Sequence, residues 1–354
     1  MEPFEYSPLS GRVVFGSGTI ARVAGEVEAL GCRRAFVLSD PHHAAGAALR
    51  VREVLADRAV GLSTQAAMHT PVEVTETVLR DVARAQADCL VSLGGGSTTG
   101  LGKALALRTD LPQVVIPTTY AGSEATPILG QTEQGRKTTI RTTKVLPETI
   151  IYDVDLTLGL PARLSVVSGL NAIAHAVEAL YAKDANPVTS MLAERGIAAI
   201  AHALPTIVRD GRDASARSDA LFGAWACGNC LGTVGMSLHH KLCHVLGGSF
   251  DLPHAETHAV ILPHAAAYNA KAAADALKRV ARVLGSESAA GGLFDLASEL
   301  GAPTALRDLG LDESKLDEAA HIAVSAPYWN PRPIEEAAIR ALLDDAFHGR
   351  RPQS

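Results

Sequence analysis

Cys89-Leu-Val-Ser-Leu-Gly-Gly-Gly-Ser97 runs an apolar strand directly into three glycines, and the residues that follow, through Lys103, read as a helix. A strand, a glycine turn and a helix N-terminus together make an anion site. Glycine lets the backbone approach a phosphate, and free N–H groups with the helix dipole face its charge. A triple glycine alone also serves as a tight structural turn. The stretch is neither a GxGxxG fingerprint nor a Walker A loop, because no GK[ST] follows.

Reading outward, Gln113–Pro117 is a second apolar strand, and it empties into Thr118-Thr119-Tyr120-Ala121-Gly122-Ser123-Glu124. Ligands of open parallel sheets bind beyond the carboxyl ends of strands, so two polar turns after successive strands indicate a nucleotide site. Asp40 ends a third strand, Ala35–Leu38, where an acid can accept from an adenosine ribose and repel a 2′-phosphate. It can equally be a turn aspartate. The functional reading predicts NADH as the cofactor, with NADPH accepted less well.

Arg12–Gly16 and Thr149–Asp153 complete the strand candidates, with helices at Ile20–Leu30 and Pro71–Ala85 between strands. This alternation predicts βαβ units and a parallel sheet. After about Leu160 the chain turns helical, at Leu164–Ala182, Val188–Val208, Ser218–Leu231, Ala270–Leu284, Leu293–Leu300 and Ile334–Phe347. The expected architecture is an α/β nucleotide-binding domain over residues 1–158 and an all-α catalytic domain over 159–354. The tail GRRPQS is expected to fray.

The 354 residues are 47% apolar and 20% charged, with a formal net charge of −6. That is globular composition without the basic patch that nucleic-acid binding needs. No apolar stretch is expected to reach the roughly 20 residues of a membrane span. The acidic N-terminus lacks the character of a signal peptide, so the cytoplasm is the expected compartment. Five scattered cysteines predict reduced thiols. Cys227 and Cys230 resemble a redox pair but lie within a helical run, where small buried residues are the better reading.

Six of the thirteen histidines fall between His239 and His264. Asn171 and His175 are four apart on one helix face, with Glu178 on the same side; His240 and His244 repeat the spacing, and His254 follows fourteen residues after His240. Such imidazoles can converge on a divalent metal or supply hydrogen bonds and protons to a substrate. His239, His258 and His264 read as structural.

Taken together, these residues resemble the iron-containing alcohol dehydrogenase superfamily, of the dehydroquinate synthase-like fold, over nearly the whole chain. The resemblance implies an active site in a cleft between the two domains, a pyrophosphate loop at Gly94, Gly95, Gly96 and Ser97, and Lys103 in the helix that follows. A second cofactor turn falls at Thr118 and Thr119, with a cofactor lysine at Lys137. It assigns the metal positions to Asn171, His175, His240 and His254, with His244 beside the substrate and Tyr120 near it. Two positions depart from the pattern: the aspartate ligand is Asn171, and an acid of the glycine loop is Gly100.

Both departures, with MHTP at Met68–Pro71, GRKTT at Gly135–Thr139, the stretch Leu238–His264 and PYWNPRP at Pro327–Pro333, resemble a subgroup that reduces a dianionic oxo-dicarboxylate. An amide is a weak partner for a hard cation, so no bound metal is expected. If a metal is bound, His175, His240 and His254 are the expected ligands. A homodimer is usual among such proteins. The rival expectations are a metal-dependent alcohol or polyol dehydrogenase and, from another class, a nucleotide sensor without turnover.

Overall fold

A computed structural model describes residues 4–9, 11–43, 45–134 and 136–353, with only the backbone of 136 and 137. The chain divides into two units, Pro8–Leu160 and the residues from Pro161 onward, the latter taking in the described residues before Pro8. The division lies two residues beyond the expected one.

In the first unit the elements run β1 (Arg12–Gly16), α1 (Val23–Ala29), β2 (Ala35–Leu38), α2 (Ala47–Leu55), β3 (Ala59–Ser63), α3 (Val72–Arg84), β4 (Cys89–Gly94), α4 (Gly96–Thr109) and β5 (Gln113–Pro117). A hairpin of β6 (Ile128–Glu133) and β7 (Arg136–Arg141) precedes β8 (Thr149–Asp153). Six strands form one sheet in the order β1-β8-β5-β4-β2-β3, every neighbouring pair parallel. Strands β2, β4, β5 and β8 are buried along their whole length, as a parallel sheet covered on both faces requires. Apolar clusters pack on each face, one around Val37, Val91 and Ile116 and the other around Phe36, Leu90 and Leu105.

The order sets β2, β4 and β5 side by side, so Asp40, the glycine turn and Thr118–Thr119 emerge at adjacent carboxyl ends. The five expected strands are all present. β3 and the hairpin were not expected, and Pro71 is the extended residue before α3 rather than its first helical residue.

The second unit is helical: α5 (Ala162–Leu180), α6 (Pro187–Arg209), α7 (Ala214–Thr233), α8 (Leu238–Phe250), α9 (His254–Asn269), α10 (Ala274–Leu284), α11 (Ala289–Glu299), α12 (Leu316–Val324) and α13 (Glu336–His348). Sixteen consecutive residues of α5, Ser165–Leu180, are buried, which makes it the central helix. Its all-round burial suits an Ala-, Val- and Leu-rich sequence with few bulky polar groups. Asn186 caps α6, its side chain accepting from Thr189 N at 2.9 Å, and Pro187 occupies the first turn.

Contrary to the expectation of no such stretch, α6 is long and apolar enough by length and composition to cross a membrane; half of that window is buried inside the protein. All five cysteines are free and buried, and Cys227 and Cys230 lie within α7. The tail does not fray as expected. Arg350 pairs with Asp344 and Asp345, Arg351 makes a two-bond pair with Asp295 at 2.7 and 2.8 Å, and Pro352 is buried.

Gly100, where the resemblance implies an acid, has a steric reason. A Cβ there would stand 2.2 Å from Thr70 Oγ1. Thr70 and His69 hold positive φ, 48° and 63°, and this unusual turn inserts the Thr70 side chain against α4. Gly100→Ala is therefore expected to lower stability by about 1–3 kcal/mol. Adding Thr70→Ala should restore it in urea unfolding, and equal loss in the single and double variants would refute the steric account.

Candidate active site

In the first unit the anion site is built by backbone shape. Gly94 has φ 152°, and a Cβ on it would meet Thr98 Oγ1 at 2.4 Å and Asp40 Oδ2 at 2.9 Å. Only glycine fits there. Its carbonyl accepts from Thr118 N at 3.1 Å, which ties the two polar turns together. Helix α4 begins at Gly96 behind Gly95, and its first turn offers N–H groups without intrahelical partners. Gly96 is exposed, while Gly95, Ser97 and Thr119 are half-buried. The hydroxyls of Thr98, Thr118 and Ser123 are buried without partners. An accessible turn, helix N–H groups and unpaired hydroxyls fit a dinucleotide's phosphates.

Asp40 is half-buried beside this turn and accepts from the backbone and the ring Nδ1 of His43 at 3.0 Å. The side chain of Lys137 lies outside the described residues. Lys103 does not take the expected cofactor role. Its ammonium is buried and donates to Ser123 O, Thr126 O, Thr126 Oγ1 and Ile128 O at 2.6–3.0 Å. Burial pushes its pKa down to about 7 while Glu124 raises it. Its chemistry is spent on holding the second turn. Tyr120, expected near the substrate, is fully buried and presents no surface.

In the second unit the histidines gather around α5. Glu178 is fully buried and accepts from Ser237 N at 2.8 Å, His239 N at 2.7 Å and His240 Nδ1 at 2.8 Å. A carboxylate only accepts, so His240 carries its proton on Nδ1 and turns Nε2 away from Glu178. That Nε2 is buried and unpartnered, as are His175 Nδ1, His258 Nε2 and Asn171 Oδ1.

Ring nitrogens of His175, His240 and His258 lie within 4.8 Å of one another. His258, read as structural from sequence, thus joins the cluster, and its Nδ1 stands 2.9 Å from His239 Nε2. The half-buried His254 packs its ring 4.4 Å from that of His258, and the exposed His244 lies 6.4 Å from His240. His264 is buried apart from these contacts, its pKa lowered to about 4 by burial.

Burial first, then neighbouring imidazoles, pushes His175, His239 and His258 well below the usual histidine range. At neutral pH they are uncharged donors and acceptors. Asn171 supplies only an amide, and Glu178 is committed to three N–H donors. The set would offer a metal ion three neutral imidazoles and no anionic ligand from Asn171 or Glu178.

Glu178→Gln keeps the shape but turns an amide N–H toward a donor. It is expected to cost about 2 kcal/mol in urea unfolding. Turnover well below the melting point should fall about tenfold or more through misorientation of His240. Full activity in that variant would remove the role given to Glu178.

Residues 10–154 match the family described as iron-containing alcohol dehydrogenase, and residues 165–347 match its C-terminal part. The chain is 57% identical over 354 residues to a maleylacetate reductase of Rhizobium sp. (strain MTP-10005), covering all of both chains. It is 54% identical over 352 residues to that of Burkholderia cepacia, covering 99% of this chain and all of the other. The crystal structure of maleylacetate reductase from Agrobacterium tumefaciens superposes with a TM-score of 0.96 at 57% identity, covering 99% of this chain and all of the other. The protein is an oxidoreductase whose chain belongs to the iron-containing alcohol dehydrogenase family and groups, within it, with the maleylacetate reductases.

Proposed function

We propose that this protein reduces maleylacetate to 3-oxoadipate with NADH and without a bound metal. The observation that carries the reading is the donor set of the second unit: neutral imidazoles with unpartnered nitrogens, and an amide where a metal site needs a carboxylate. Full-length similarity to maleylacetate reductases supports the substrate. A homodimer is the expectation carried over from the resemblance, and the cytoplasm is the expected compartment.

Maleylacetate is a dianion whose C=C bond is conjugated to a ketone. NADH, when bound, would supply the hydride for the alkene carbon β to the ketone. The displaced π electrons reach the ketone oxygen as an enolate, and a proton at the adjacent carbon completes the product. The Gly94–Ser97 turn and the first turn of α4 would hold its pyrophosphate, together with Thr118 and Thr119. Asp40 accepts from the adenosine ribose.

In the histidine cluster, His175, His240, His254 and His258 offer hydrogen bonds to the oxyanion and a proton. Asn171 orients the substrate or a neighbouring ring. Glu178 fixes His240 in one orientation, with its proton on Nδ1.

The three imidazoles within 4.8 Å also favour a second reading, a metal-dependent alcohol or polyol dehydrogenase. NADH oxidation with fresh maleylacetate, with and without EDTA, separates the two. Rapid turnover indifferent to EDTA is expected; turnover of simple alcohols only after adding Fe²⁺ or Zn²⁺ would establish the second reading. Asn171→Asp is expected to raise metal affinity at least tenfold by calorimetry, since it restores the anionic ligand. Asp40→Ala should lower the kcat/KM preference for NADH over NADPH about tenfold, the scale of a charged hydrogen bond and a lost repulsion. An unchanged preference would show that Asp40 does not read the ribose.

A further inference from the structure

Asp40 does not stand at the cofactor site as a bare carboxylate. It follows β2 and lies against the glycine turn, where a Cβ on Gly94 would come within 2.9 Å of its Oδ2. The ring of His43, three residues on, places Nδ1 3.0 Å from both Oδ1 and Oδ2. The backbone N–H of the same residue donates to Oδ1 at 3.0 Å. A turn aspartate needs only that backbone bond. The ring contact with both oxygens goes beyond what the turn requires.

A carboxylate only accepts, so Nδ1 carries a proton whether the ring is neutral or charged, and Nε2 decides the charge. Side chains on both sides keep about a fifth of their surface, 22% for His43 and 21% for Asp40, so solvent protons reach the pair. Histidine is the side chain whose charge changes near neutral pH. With a neutral ring, the pair presents a full negative charge. With an imidazolium it is an ion pair without net charge. The ring of His42 stands edge-on at 5.0 Å and is the other titratable group against His43. The glycine turn adds none. His43 O accepts from Gly46 N and Ala48 N at the start of α2, yet among the described residues the charged Arg50, Arg52 and Glu53 of that helix form no ion pair with the ring.

We propose that His43 is a positioning residue that sets the choice between NADH and NADPH by compensating the charge of Asp40. The inference rests on the reading that Asp40 meets the adenosine ribose. A 2′-hydroxyl can donate to the carboxylate in either state of the ring. A 2′-phosphate adds up to about two negative charges; Asp40 alone repels it, and the compensated pair tolerates it. Tolerance of NADPH therefore rises as the pH falls.

Fluorescence titration of NADH and NADPH, without substrate, gives the ratio of their dissociation constants at about pH 6 and about pH 8.5. His43→Gln is never charged, and His43→Lys is charged at both values. In the wild-type protein NADPH is expected to gain on NADH about tenfold at the lower pH, the scale of a hydrogen bond to a charged group. His43→Gln should stay near the high-pH ratio and His43→Lys near the low-pH ratio. The 2′-phosphate itself titrates near pH 6 in all three proteins, so the trend is scored as wild type against the variants. In an Asp40→Ala background, His43→Gln should move the ratio less than about twofold, because its partner is gone.

Parallel pH trends in wild type and His43→Gln would overturn the proposal. So would equal weakening of both cofactors by His43→Gln, the mark of a merely structural role, or a full effect of that replacement in Asp40→Ala. A ratio that Asp40→Ala by itself leaves unchanged would instead overturn the reading of Asp40 as the ribose acceptor.

Discussion

Glu178 is a carboxylate without solvent, and three N–H donors from one short stretch, Ser237–His240, take the place of water around it. Two of those donors belong to the start of α8, whose own preceding residue, Ser237, makes no side-chain cap. The cap comes from another helix, and the negative charge meets the positive end of the α8 dipole. Burying a charge is unfavourable unless it is fully hydrogen-bonded, and this one is. Because Asn171 and His175 lie on the same helix as Glu178, the contact also sets the separation between their side chains and the imidazoles of α8. The geometry of the cluster depends on it.

Among the described residues of the cluster, the carboxylate of Glu178 is turned to this task. What remains is a group of uncharged rings at several depths, from the buried His239 and His258 to the exposed His244. Such a group can hydrogen-bond a substrate and move protons, which is the use the proposed function gives it. A substrate that brings two negative charges of its own, and develops a third on oxygen, suits a neutral, donor-rich surface.

The parallel sheet was legible because its strands are short apolar runs bounded by turns; Ala35–Leu38 and Gln113–Pro117 have the expected bounds. The edge strand Ala59–Ser63 contains a glycine and is only partly buried, and the hairpin β6–β7 is rich in threonine and charge, so neither produces that signal. Asn171, His175 and His240 were readable from i,i+4 spacing. His258 was not, because its membership depends on the crossing of α8 and α9 and on the bond to His239, which join residues nineteen apart. Lys103 misled for the opposite reason: a lysine after a glycine turn suggests phosphate, and only the path of residues 123–128 reveals four oxygens waiting for it.

Those four oxygens have a thermodynamic consequence. They fasten the loop after β5 to the helix after β4, and the Gly94–Thr118 backbone bond closes the same connection from the other side. The loop's conformational entropy is thus lost during folding, before any ligand arrives. Binding energy that a floppy loop would consume in becoming ordered is left to appear as affinity. A lysine that never touches the nucleotide would in this way act on its dissociation constant through preorganisation.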